Sequence, residues 1–155
     1  MRAASNPCYE SPMPNDDAGA LAETAVTKAR AMEPLIVIGL WWSEREPYWP
    51  RPQSFVDPNW DEQERQTVLA YLESGTINRA YMGFSPCRFC GANNGALEFT
   101  DGVYAWPEGL AHYIQEHALR LPAQVVAHAI ARIEGLEARA RDDTWWRSLG
   151  DVDGE

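Results

Sequence analysis

The sequence predicts an α+β fold: a small antiparallel sheet with three to four helices and a knuckle–hairpin–helix lobe. Three observations carry this. Cys87-Arg88-Phe89-Cys90-Gly91 is a tight two-thiol knuckle, and His112 and His117 follow it on a short amphipathic stretch. Ala96–Thr100 and Val103–Trp106 are apolar segments separated by Asp101-Gly102, a dipeptide suited to a turn with positive φ. Leu110, Ala111, Ile114 and Ala118, then Val125, Val126, Ala129, Ile130, Ile133 and Leu136, recur at helical spacing.

The remaining elements follow in chain order. Residues 1–15, with Pro7, Pro12 and Pro14 among polar residues, are expected to be a disordered or loosely attached tail that includes Cys8. A helix is expected from Asp16 or Asp17 to just before Pro34, with Leu21, Ala22, Ala25, Val26 and Ala29 on one face. Leu35–Trp42 is apolar and β-branched, which predicts a buried strand in which adjacent Trp41 and Trp42 face opposite sides. Pro47, Pro50, Pro52 and Pro58 remove backbone donors, so residues 46–58 should drape over the core, pinned by Tyr48, Trp49 and Phe55. Asn59 or Asp57 is expected to cap the next helix, which carries Val68, Leu69 and Leu72 and ends at Gly75. A strand is expected over Asn78–Phe84. Pro107 should open the histidine helix, and Leu121-Pro122 should end it and start another running to about Arg141. Residues 16–141 then form one domain, and residues 142–155 an acidic tail holding Trp145 and Trp146.

A cation such as Zn²⁺ favours a tetrahedron of thiolates and imidazoles, and two thiols two residues apart present half of it. Cys87, Cys90, His112 and His117 are the expected ligands, with Zn²⁺ the expected cofactor. His112 and His117 lie about 140° apart on an ideal helix, so the helix must tighten or fray at His117. Glu116, four residues from His112 and on its face, is the competing fourth ligand. Four protein ligands leave no position for a reacting water, so such a site builds structure. The order knuckle, hairpin, helix with histidines resembles zinc-finger architecture of the Cys2His2 or treble-clef-like kind over residues 80–120. With Trp106-Pro107-Glu108-Gly109-Leu110-Ala111-His112-Tyr113 the chain is also similar to small bacterial proteins of uncharacterised function. The resemblance implies a zinc-stabilised lobe and no particular activity.

Other readings of the same residues are weaker. A redox pair usually opens a helix, whereas Gly91-Ala92-Asn93-Asn94-Gly95 is a turn. Pro86-Cys87-x-x-Cys90 is half of a zinc deaminase signature, but no His precedes it, and Cys8-Tyr9-Glu10 lies in the proline-rich tail. Asp101 and Glu108 could serve metal-assisted hydrolysis, but a hairpin turn and a first helical turn explain them locally. His128, between the apolar positions Val125 and Ala129, reads as a packed or surface histidine and not a ligand.

The 155 residues carry 23 acidic and 13 basic side chains, a net charge of −10. That disfavours a nucleic-acid surface and suits either a merely solvated acidic surface or a basic protein partner. No signal peptide is visible in Met1–Asn15 and Pro34–Trp42 is too short to span a bilayer, so the expected location is cytoplasmic without membrane contact. Exposed aromatic residues mark binding patches, and Trp42, Trp49, Trp145 and Trp146 are the candidates. The expected function is a zinc-stabilised protein-binding module, such as an inhibitor or immunity-type protein blocking a basic surface. The alternatives are an accessory subunit of a larger assembly, or a zinc-dependent hydrolase or deaminase.

Overall fold

The computed structural model describes residues 33–150. The expected tail with Cys8, the expected helix from Asp16 or Asp17, and residues 151–155 lie outside the described residues. The chain divides after Pro34, and the body described below begins at Leu35. It contains four strands and four α-helices: β1 (Ile36–Val37), α1 (Glu62–Glu73), β2 (Thr76–Ala80), β3 (Leu97–Thr100), β4 (Tyr104–Pro107), α2 (Leu110–His117), α3 (Ala123–Glu137) and α4 (Thr144–Ser148). This is the α+β class that the sequence predicts.

The sheet runs β1-β4-β3-β2 and is mixed. β2, β3 and β4 pair antiparallel, as expected, but β1 joins β4 in parallel through Ile36↔Tyr104 and Val37↔Ala105. The long connection from β1 through residues 38–103 permits this, since only a tight hairpin would force antiparallel pairing. The expected buried strand over Leu35–Trp42 is also corrected. Only Ile36 and Val37 are regular, both on the sheet edge and exposed, and Gly39 with φ +74° ends the run. A branched side chain cannot easily follow that left-handed turn, which sends Trp41 into the core while Trp42 stays half-exposed beneath the Arg51 guanidinium.

The turn chemistry of the β3–β4 hairpin is legible residue by residue. Gly102 takes φ +92°, and the Asp101 carboxylate accepts the N–H groups of Val103 and Tyr104 at 2.9 Å each. β4 is the central strand: Tyr104, Ala105 and Trp106 are all buried. Pro107 therefore closes β4 and does not open the helix, whose N-cap is Gly109. The Trp106 ring packs on Tyr71 of α1 at 5.0 Å between centroids, and Gly75 leaves room for it.

Three more boundaries differ from those expected. Asp61, neither Asn59 nor Asp57, caps α1, because its carboxylate accepts the Glu64 N–H at 2.9 Å. β2 begins at Thr76 and stops at Ala80, earlier than the expected Asn78–Phe84. α3 ends at Glu137, because its buried stripe stops after Ala129 and the later turns have little to pack on. The Pro-rich segment turns as a 3₁₀ helix at Pro52–Phe55, with Pro52 buried and Phe55 against Trp41, but Tyr48 is exposed and pins nothing. Within the acidic C-terminal segment, Asp142 and Asp143 precede the short helix α4.

The core lies where α1, α2 and α3 meet the sheet, with Val68, Tyr71, Trp106, Leu110, Ile114, Leu119 and Val125 among its fully buried members. At one end His128 of α3 meets Asp101 at 2.6 Å, with Tyr71 and Tyr104 set edge-on to its ring. His128 is thus a packed histidine. Burial, with the Asp101 carboxylate alongside, pushes the Tyr71 hydroxyl well above its ordinary pKa. Burial also opposes ionisation of Asp101, but His128 and the N–H groups of Tyr104 and Val103 outweigh it and hold its pKa below the ordinary value.

A carboxyl with a lowered folded pKa stabilises the fold above its unfolded value and loses that contribution as pH falls through the folded one. Asp101→Asn should therefore cost about 1–3 kcal/mol in urea unfolding at pH 7. The variant should also lose less stability than the parent between about pH 4 and pH 3, in the carboxylate range.

Candidate metal centre

The knuckle sits at the far tip of the β2–β3 hairpin. Beyond Ala80↔Leu97 the two arms stay joined by Tyr81 N–H to Ala96 O at 2.8 Å and Asn94 N–H to Ser85 O at 3.0 Å. Cys87 N–H then bonds Ala92 O at 2.8 Å, and Gly91 N–H bonds Cys87 O at 2.9 Å. Gly91 closes this turn at φ +71°, a conformation a Cβ would strain. These backbone bonds hold Cys87 and Cys90 together in one tight turn.

α2 supplies the imidazoles. Cys87 Sγ lies 3.4 Å from His117 Nε2, and Cys90 Sγ lies 3.3 Å from His112 Nε2. One ligand atom from each of the four residues lies within 4.8 Å of the others. Bonds of about 2.3 Å to sulfur and about 2.0–2.1 Å to nitrogen at tetrahedral angles would set S and N about 3.5 Å apart. The donor set and its spacing therefore fit a four-coordinate cation. Glu116 is exposed and is not in the group.

The helix reaches this arrangement by opening, not by tightening. Ala118 N–H bonds the Tyr113 carbonyl five residues back, and Leu119 N–H bonds the same oxygen at 3.2 Å. A widened last turn takes more residues per revolution, so positions five apart rotate toward one face. Ala118 then adopts the left-handed conformation, φ 51° and ψ 35°, which costs roughly 1–2 kcal/mol for a residue with a Cβ. Long-range pairing holds it there. Asp57 N–H bonds Ala118 O at 2.9 Å, Arg120 N–H bonds Phe55 O at 2.8 Å, and Val56 bridges Leu119.

Two residues that sequence reasoning missed position the side chains of the Cys/His group. Tyr113 accepts the Arg88 N–H at 2.8 Å through its hydroxyl, and its ring lies between Trp41 and Phe89. Burial pushes that hydroxyl's pKa up to about 12. Phe89, inside the knuckle, stacks on the His117 ring at 4.7 Å and 23°. Neither shows in spacing; only an aromatic within the Cys-x-x-Cys and another next to His112 could have hinted at it. Burial opposes ionisation of Cys87, but the N–H groups of Cys90 and Phe89 and further hydrogen bonds outweigh it and hold the thiol's pKa below its ordinary value. A thiolate is the form that ligates metal. Cys87 is buried and Cys90 exposed, so the cluster lies at the surface.

The acidic neighbours are otherwise engaged. Glu108 accepts Ala96 N–H and Leu97 N–H at 3.0 and 3.2 Å, and Asp101 belongs to the hairpin turn and His128. Of the four candidate partner-binding tryptophans, Trp42 and Trp49 are half-buried, while Trp145 and Trp146 are 72% and 67% exposed and lie on α4. The structure does not bring them together with the Cys/His group. Among the described residues no helix is long and apolar enough to cross a membrane. Comparison with protein-family models, with curated proteins and with solved structures finds no match to this chain.

Proposed function

We propose that Cys87, Cys90, His112 and His117 hold a structural Zn²⁺, and that the domain so stabilised binds another protein. Its mode of action would be that of an inhibitor or immunity-type protein covering a basic surface. The observation that carries the metal reading is the convergence of four ligand atoms within 4.8 Å from two separately folded elements. Two thiolates and two imidazoles are the donor set zinc prefers, and four protein ligands saturate it. Zinc would join the hairpin tip to the end of α2. These are contacts that neither element makes by itself, so the binding energy would become folding energy.

The net charge of −10 supports a basic partner, since opposite fields speed encounter and reject acidic competitors. Exposed Trp145 and Trp146 support a protein surface as the target, because tryptophan is enriched where interface energy concentrates.

The purified chain should contain one zinc per molecule by elemental analysis. Chelation or Cys87→Ser should lower the melting temperature by more than about 10 °C. An unchanged melting temperature for the metal-free protein would sink the structural role. His117→Ala should weaken zinc affinity by about 100-fold or more, whereas Glu116→Ala should leave it within about twofold, read by competition with a chromophoric chelator. Recovery of the chain from its native host should yield a stoichiometric partner with a basic face. Trp145→Ala with Trp146→Ala should then weaken that complex by about 2 kcal/mol without moving the melting temperature. A partner bound with unchanged affinity by the double variant would remove α4 from the interface.

A further inference from the structure

Between the segment after β1, the base of the knuckle hairpin and the start of α2 lies a pocket of about 200 Å³. Trp41, Trp49, Tyr81, Tyr113 and Glu98 contribute to its wall. Glu98 is withdrawn from water, with 13% of its side chain exposed. Its oxygens accept Asn78 Nδ2 at 2.7 Å and the Tyr81 hydroxyl at 3.1 Å, both neutral donors. The one cation within ion-pair reach among the described residues is Arg79, 3.8 Å away and 69% exposed. Such a pair is worth little, so Glu98 keeps an under-compensated negative charge in a wall that also holds four aromatic residues. Arg88 also borders the pocket, but it is exposed, and solvent screens its charge more than that of Glu98.

We propose that this pocket receives the guanidinium of an arginine side chain presented by the protein partner. Aromatic rings attract a cation over their faces, and a planar guanidinium can also fork onto a carboxylate. The volume suits one side-chain end, and the chain's net charge of −10 matches a partner rich in such groups. The inference rests on the reading above that the partner's surface is basic. It adds where one of that surface's cations would enter.

The test is an NMR titration of the zinc-loaded full chain with N-acetyl-arginine N-methylamide, using the citrulline counterpart as the neutral isostere. Saturable shifts of the Trp41 and Trp49 indole N–H signals are expected, with a dissociation constant of about millimolar order for so small a probe. Citrulline should bind about tenfold more weakly or worse, and Glu98→Gln should show a similar loss for arginine. Should Glu98→Gln not fold, Trp49→Ala, on another part of the wall, is expected to lose about tenfold as well. Equal affinity for citrulline, or indole signals that never move, would overturn the proposal. A folded, zinc-loaded chain indifferent to arginine removes the pocket and leaves the metal reading intact. A chain that selects arginine over citrulline while its recovered partner presents no basic face keeps the pocket and removes the basic-partner reading.

Discussion

Two sulfurs at a hairpin tip and two imidazoles five residues apart on a helix converge only if that helix opens at its end. The opening is concentrated at one carbonyl, that of Tyr113, which accepts both Ala118 N–H and Leu119 N–H. A regular α-helix would leave His112 and His117 on different faces and the cluster incomplete. The wide turn needs Ala118 left-handed, and that conformation is unfavourable by itself. It persists because the chain beyond it pairs with residues 55–57, placing Leu119 in the core and Arg120 between Asp57 and Glu64 at 3.3 and 3.2 Å. The proline-rich strap thus shapes the end of the histidine helix from the outside.

The same aromatic residues serve the core and the cluster. Trp41 contacts Phe55 of the strap and Tyr113 of α2, and Tyr113 in turn holds the knuckle backbone at Arg88. Phe89 reaches back from the knuckle to the His117 ring. Packing therefore orients the imidazoles and sulfurs before any ion is considered, the pre-organisation that a metal site of defined geometry requires. The opposite end of the sheet uses a separate device, the Asp101–His128 pair beneath the β3–β4 turn, which ties α3 to the hairpin.

Local chemistry made much of the fold legible. Asp101-Gly102 announces its turn because φ +92° and a carboxylate facing two N–H groups are properties of those residues. Gly91 announces the knuckle for the same reason, and the stripe of α3 is visible in its first two turns, where it is buried. Where the reading failed, a distant element decided the outcome. Ile36 and Val37 have the composition of a buried strand but occupy an edge, because β4 takes the centre of the sheet. Tyr48 looks like an anchor and is exposed, while Pro52 and Trp60 nearby are buried.

By itself the sequence determined the α+β class, the knuckle, the hairpin turn, and Cys87, Cys90 and His112 of the Cys/His group. Each follows from the φ preference, ligand chemistry or apolar period of residues close together in the chain. Only the tertiary structure decided the parallel entry of β1, the choice of His117 over Glu116 as the group's fourth member, and the roles of Tyr113 and Phe89 around it. The last two depend on a helix end bent by residues some sixty positions earlier, and the first on pairing of Ile36–Val37 with Tyr104–Ala105. No local propensity encodes a contact of that range.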